Sequence, residues 1–241
     1  MRPMNTNKTG SGVPDYREGA GSGTGEWPYF RCCALDSVAM DLLPTLEIVL
    51  VRHAQAEPVG MPPWDVDDAA RPLTGKGLRD AAELAEELDP FHLSAVYSSP
   101  YRRAVATVTP TAERRGLEVQ LLDDLRERRL AEVLRDDWQE ILAHGWADPD
   151  YAAPGGESGR AAQRRGMGVL DLLRARHKAG GRLLVGSHGN LISLVLQSLE
   201  PGVDHAFHAA MPMPAIFHLS HDGIGWRIMG GQGFARIAER S

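Results

Sequence analysis

Arg52 and His53 close a short apolar run, Leu46-Glu47-Ile48-Val49-Leu50-Val51. A strand that ends in Arg-His sets a nucleophile-capable imidazole beside a permanent cation, at the strand end where α/β proteins bind ligands. Two further segments extend the pattern. Ser98-Ser99-Pro100-Tyr101-Arg102-Arg103-Ala104 follows a second short strand, and Gly186-Ser187-His188-Gly189-Asn190 follows a third. Together they bring two histidines and two arginines to the ends of three strands, which is chemistry suited to a phosphoryl group.

A phosphate monoester resists hydrolysis because its dianion repels nucleophiles and its alkoxide leaves badly. Catalysis requires the equatorial oxygens to be neutralised, a nucleophile to be held in line and the leaving oxygen to be protonated. His53 is the candidate nucleophile, since a neutral imidazole attacks near neutral pH. Arg52, with Arg102 or Arg103, can hold phosphoryl oxygens through forked, permanently charged donors. His188 can add a hydrogen bond, and Gly189 lets the backbone come close. Glu127, in Leu125-Arg126-Glu127-Arg128, is the candidate acid for the leaving group and base for water. By local chemistry alone, its charged stretch Asp123–Arg129 reads as a solvated face.

The elements that must position these residues alternate between strand and helix. Strands are expected at Leu46–Val51, Ala95–Ser98, Leu117–Leu122 and Arg182–Gly186, with a terminal hairpin of Ala215–Leu219 and Trp226–Met229 turning at Asp222-Gly223. Thr74 caps a helix with the apolar stripe Leu78, Ala81, Ala82, Ala85 and Leu88, ended by Asp89-Pro90. Ser99 caps a second helix with Pro100 at its first position. Trp138–His144 is a short helix; Trp138 and Trp146 pack a small cap beside a pocket. A longer helix runs from about Glu157 to Lys178 and stops at Gly180-Gly181, with Gly166 and Gly168 weakening it. Glu157-Ser158 reads as capping of that helix. A last helix spans Asn190 to Leu199. Helices between short buried strands imply an α/β three-layer sandwich, a mostly parallel mixed sheet with helices on both faces and a small cap.

Composition bounds the function. The chain has 241 residues, 43% of them hydrophobic, enough for one sizeable core. Its net charge of −6 excludes a global basic field, so neither nucleic acid nor an acidic membrane is an expected partner, and an anion site must be a local cation cluster. Cys32 and Cys33 are adjacent and form no zinc-ligand spacing, which favours a reducing compartment. No run reaches the ~18 apolar residues of a membrane span. The chain therefore reads as soluble and cytoplasmic. Residues 1–44 are rich in Gly, Ser, Thr, Asn and Pro without any period and read as a disordered extension; residues 45–241 form the catalytic domain. Met61, Trp64 and Asp65 fall in a Pro-rich loop that can line a substrate entrance. His205/His208 and His218/His221 lack a carboxylate at metal-ligand spacing and read as structural or surface histidines.

Val51-Arg52-His53-Ala54, Ser98-Ser99-Pro100-Tyr101-Arg102-Arg103-Ala104, Leu125-Arg126-Glu127-Arg128 and Ser187-His188-Gly189 resemble, in order, the motifs of the histidine phosphatase superfamily, which includes the cofactor-dependent phosphoglycerate mutases. The resemblance spans residues 46 to about 230. It implies that His53 is the phosphorylated nucleophile, that Arg52, Arg103 and His188 complete the phosphate pocket, and that Glu127 donates the proton. It also implies a mixed sheet flanked by helices, no metal and no cofactor. Among the two candidate arginines, the one before Ala104 fits the motif. Departures exist: Ala54 stands where the family has Gly, Pro58-Val59-Gly60 replaces the mutases' Asn, and a compact run through Pro154-Gly155-Gly156-Glu157-Ser158 resembles the phosphatase branch. The expected activity is a metal-independent phosphomonoesterase acting on a phosphorylated metabolite. The alternatives are a phosphoglycerate mutase, a phosphatase of phosphohistidine side chains and a non-catalytic phosphate-binding module. Oligomeric state is not legible.

Overall fold

A computed structural model describes residues 45–58, 67–132 and 136–234. The extension expected over 1–44, and the loop residues Met61, Trp64 and Asp65, lie outside the described residues. Six strands are found among them: β1 Leu46–Arg52, β2 Ala95–Ser98, β3 Val119–Leu121, β4 Gly181–Ser187, β5 Ala215–His221 and β6 Trp226–Gly231. They form one sheet in the order β3-β2-β4-β1-β5-β6. The β3-β2, β2-β4 and β4-β1 pairs are parallel, whereas β1-β5 and β5-β6 are antiparallel, the last pair being the expected hairpin.

Strand side chains alternate faces with a period of two, and the buried residues follow. Leu46, Ile48 and Leu50 of β1, with Leu183 and Val185 of β4, join one core. Val49 and Val51, with Leu184, join another on the opposite face. The first core is closed by Val169, Leu170 and Leu173 of α4 (Gly159–Arg176) and by Ile192, Val195 and Leu196 of α5 (Gly189–Leu199). The second is closed by Leu84 and the following Leu88 of α1 (Gly75–Glu87) and by Val108 and Ala112 of α2 (Arg102–Glu113). Three layers result, and truncating a fully buried leucine such as Leu173 costs roughly 2–5 kcal/mol. Gly166, expected to weaken α4, instead lets it close on α5: a Cβ there would collide with Val195 and Leu191. α3 (Trp138–Ala147) packs through Trp146 on Ala162 of α4 and on Leu191 and Leu194 of α5, and α6 (His205–Ala210) follows α5.

Two local expectations are corrected. The buried face of α1 is Gly77, Ala81, Leu84 and Ala85, and Leu78 is 57% exposed. Gly77 sits against the Gln55 carbonyl, where no Cβ fits, and this contact sets the rotation of the helix. Thr74 does cap it, accepting from the Gly77 N–H at 3.0 Å. Ser99 does not cap α2, which begins at Arg102 after Tyr101, without a side-chain cap bond. Its hydroxyl is engaged in the site described below. Boundaries elsewhere shift by up to three residues; Ser158 caps α4, accepting from Ala161 N–H, while Glu157 binds Arg165 through both carboxylate oxygens at 2.9 and 2.7 Å instead of capping. No helix among the described residues is long and apolar enough to cross a membrane.

Candidate active site

Register brings the expected residues together. Arg52 pairs with Ser187 across β1-β4, and Ser98 with Gly186 across β2-β4, so three parallel strands end along one line. The chain continues this pairing past the strands: His53 N–H donates to Ser187 O and Ser99 N–H to Gly186 O, both at 2.9 Å. His53, Ser99 and His188 are therefore held side by side by backbone. The His53 and His188 rings meet edge to face with centroids 5.2 Å apart.

The tautomer of His53 is set from both sides. Its Nδ1 lies 2.7 Å from the Ala54 carbonyl, which only accepts, so Nδ1 carries the hydrogen. Its Nε2 accepts from Arg103 Nε–H at 3.2 Å, so the lone pair is on Nε2. Burial pushes the His53 pKa down to about 3, aided by the charges of Arg103, Arg52 and Arg71 and opposed by the Ala54 hydrogen bond. The ring is neutral at physiological pH. Ala54 has no positive φ and is fully buried beside Leu73 and Ala81; its N–H donates to Thr107 Oγ1, so alanine is accommodated at the motif's glycine position.

Arg103 is 2% exposed and is the arginine that meets His53, whereas Arg102 lines an apolar surface groove with Leu78 and Val105. Arg52 donates through Nη1 to the carbonyls of Met211 and, at 3.4 Å, Pro212. Its Nε finds no hydrogen-bond partner among the described residues. Burial lowers its pKa, and the charge of Glu127 counters that. Fully buried His188 is pushed well down from its ordinary value by burial and then by Arg103. Its Nε2 is 2.8 Å from Ser99 Oγ, and its Nδ1 is buried without a partner among the described residues. Gly189, the first residue of α5, is pressed against the Arg52 guanidinium.

Glu127 stands at the start of α5, not on a solvated face. Oε1 accepts from Leu191 N–H at 3.0 Å and Arg128 N–H at 2.9 Å, and Oε2 accepts from Asn190 N–H at 3.2 Å. Backbone donors at a helix N-terminus suit a carboxylate. The four motifs thus meet in one pocket.

Sequence reasoning missed Asp68, Arg71 and Ser99. Asp68 lies on a single 3-10 turn, and its carboxylate reaches Arg103 Nη2 at 3.0 Å and Arg71 Nε at 2.8 Å. Arg71 adds its charge to the field at both histidines. The i,i+3 spacing of Asp68 and Arg71 was the available signal, hidden in a Pro-rich loop. Trp146 packs on Ala162, Leu191 and Leu194 and stacks with His205 and His208. His208 bonds Ser193 Oγ through Nδ1 at 3.2 Å, and burial followed by Arg52 pushes its pKa down to about 4. It is structural, as expected, but it adjoins the site. Among the described residues, no group of three His, Cys, Asp or Glu is disposed to hold a metal.

Arginines gather around a neutral histidine at the carboxyl ends of the parallel strands, the edge at which open α/β sheets bind ligands. The sequence profile of the histidine phosphatase superfamily, branch 1, matches residues 48–230, and the chain belongs to that family. Phosphoserine phosphatase 1 of Hydrogenobacter thermophilus is 31% identical over 147 residues, 55% of this chain and 66% of that protein, just under two thirds of its length. A mycobacterial glucosyl-3-phosphoglycerate phosphatase shares the fold with a TM-score of 0.62 at 23% identity, covering 77% of this chain and 97% of the other. The phosphoglycerate mutase of Bacillus anthracis str. Sterne matches with a TM-score of 0.64 at 16% identity, covering 82% and 97%.

Proposed function

We propose that the protein is a metal-independent phosphomonoesterase that hydrolyses a small phosphorylated metabolite through a phosphohistidine on His53. The observation that carries this reading is the tautomer: the neutral ring offers its lone pair at Nε2, while Nδ1–H is anchored on Ala54 O. Attack of Nε2 on phosphorus forms the P–N bond and breaks the ester P–O bond, and the departing oxygen takes the proton of Glu127. Arg52 and Arg103 neutralise the phosphoryl oxygens, and His188 supplies a further hydrogen bond through Nδ1. The phosphorylated ring is cationic, and the Ala54 carbonyl stabilises it through Nδ1–H. Water then attacks the phosphorus, Glu127 takes its proton, and the P–N bond breaks to release phosphate and neutral His53.

The relative at 31% identity makes phosphoserine the first ester to test. Rapid acid-free quenching with phosphate-labelled phosphoserine, and with a panel of other phosphorylated metabolites, is expected to trap an acid-labile label on His53. His53→Ala, folded by circular dichroism, is expected to carry none. A label on Ser or Asp, or turnover retained by His53→Ala, overturns the mechanism.

A further inference from the structure

Three of the five N–H donors of Arg103, one on each nitrogen, are engaged before any substrate arrives. Nη1 donates to the Asp68 carbonyl at 2.6 Å, Nη2 to Asp68 Oδ2 at 3.0 Å, and Nε to His53 Nε2 at 3.2 Å. Asp68 Oδ1 meanwhile lies 2.8 Å from Arg71 Nε. A carboxylate spread across two guanidinium groups matches a phosphoryl group in charge sign and in the fork geometry of its oxygens. The third contact has a chemical consequence. A lone pair that accepts Arg103 Nε–H cannot at the same time form a bond to phosphorus, so His53 is masked in this arrangement.

Resting on the proposed phosphatase reading, we infer that Asp68 is a positioning residue that occupies the phosphate site of the free enzyme and yields Arg103 to the incoming ester. Which partner moves follows from burial. Arg103 is 2% exposed on α2, whereas the Asp68 side chain is 46% exposed and can hydrate when it swings out. Arg71, three residues further along, retains one carboxylate oxygen throughout, so the aspartate is held near the pocket but off the arginine. The phosphoryl oxygens replace the carboxylate on Arg103, the guanidinium turns toward them, and Nε2 of His53 is uncovered. Substrate binding and unmasking of the nucleophile are then one event, and departing phosphate lets Asp68 close the site again.

The test compares wild type with Asp68→Ala and Asp68→Asn at pH 7. Calorimetry measures the Kd of inorganic phosphate, which requires no turnover, and peptide mass mapping follows the rate at which diethyl pyrocarbonate modifies His53. With the internal competitor removed, phosphate is expected to bind about 2- to 5-fold more tightly, the scale of one ion pair at a partly exposed site. His53 is expected to react several-fold faster. Asp68→Asn keeps the shape without the charge and is expected to move the same way; it also serves if the alanine variant folds poorly. Phosphate affinity that is unchanged or weaker in the folded asparagine variant overturns the inference, because Asp68 would then be orienting Arg103 for substrate. Wild type that binds phosphate but hydrolyses no ester overturns the phosphatase reading, and the affinity comparison still decides the role of Asp68.

Discussion

A methyl group on Gly189 would lie 2.9 Å from Nε of Arg52 and 3.0 Å from its Cζ. The glycine of the Ser-His-Gly motif is thus space reserved for a guanidinium, which Met211 O anchors from its Nη1 side. Gly189→Ala is expected to displace Arg52 by a few tenths of an ångström, with little change in melting temperature. Misplacement of a positioning group by ~1 Å can cost about 10²-fold in rate, so a shift of a few tenths is expected to lower kcat/KM roughly 3- to 10-fold. A variant with wild-type kinetics would show that Arg52 does not hold the transferring group.

Glu127→Gln is expected to separate substrates by leaving group. An alkyl ester needs its departing oxygen protonated, and loss of the acid is expected to cost roughly 10²–10⁴-fold. Nitrophenolate leaves unaided, so stopped-flow with nitrophenyl phosphate is expected to show a retained burst before a slow steady state. Equal impairment of the burst with both esters would leave Glu127 only its role in binding the start of α5.

Stability is expected to fall as pH drops below about 6.5. His53 and His208 have folded values pushed down to about 3 and about 4, while the unfolded chain protonates them near 6.5. The unfolded state thus binds more protons, and stability present above 6.5 is lost progressively toward 4 and then 3. Each such histidine contributes a slope approaching ~1.4 kcal/mol per pH unit in that window. Urea unfolding at pH 7, 6 and 5 measures it, and His208→Gln is expected to flatten the dependence. A pH-independent midpoint contradicts the buried neutral rings.

Restoring the family glycine with Ala54→Gly is expected to cost about 1 kcal/mol, from a buried methyl and greater freedom of the unfolded chain. The hydrogen bond from His53 Nδ1–H to the residue 54 carbonyl is backbone in origin, so kcat is expected to stay within about twofold, a shift well under 1.4 kcal/mol in barrier. Denaturant titration and steady-state assays check both halves.

Phosphatase activity is expected to persist after exhaustive treatment with EDTA, because Arg52 and Arg103 supply the charge that a metal would otherwise bring. Loss in chelator with recovery on adding a divalent ion contradicts this expectation.

What could be read from the chain follows a physical division. The convergence of Arg52, His53, Arg103 and His188 was legible because three of them close or directly follow a strand and Arg103 lies in the first turn of the helix after β2, and strand ends are marked by alternating apolar residues. The three-layer arrangement was legible for the same reason: Ile48 and Val49 already pointed to opposite cores. The environment of Glu127 was not, since its neighbours are charged and its partners, the amides of Asn190 and Leu191, are more than sixty residues away. Ser99 was misread as a cap because Ser-Pro is a strong local signal, and only the tertiary structure brings His188 within reach of its hydroxyl. Asp68 and Arg71 act through a loop whose geometry no periodicity encodes.

β1 is bonded on both sides, to β4 and β5, over its whole length, and His53 extends that ladder by one amide. No local fraying can release the His53 amide without opening the centre of the sheet. Its deuterium exchange is therefore expected to proceed only through global unfolding, at the slow limit for this chain. It follows that heat or denaturant should extinguish catalysis and the cooperative fold along a single curve, with no inactive folded species in between.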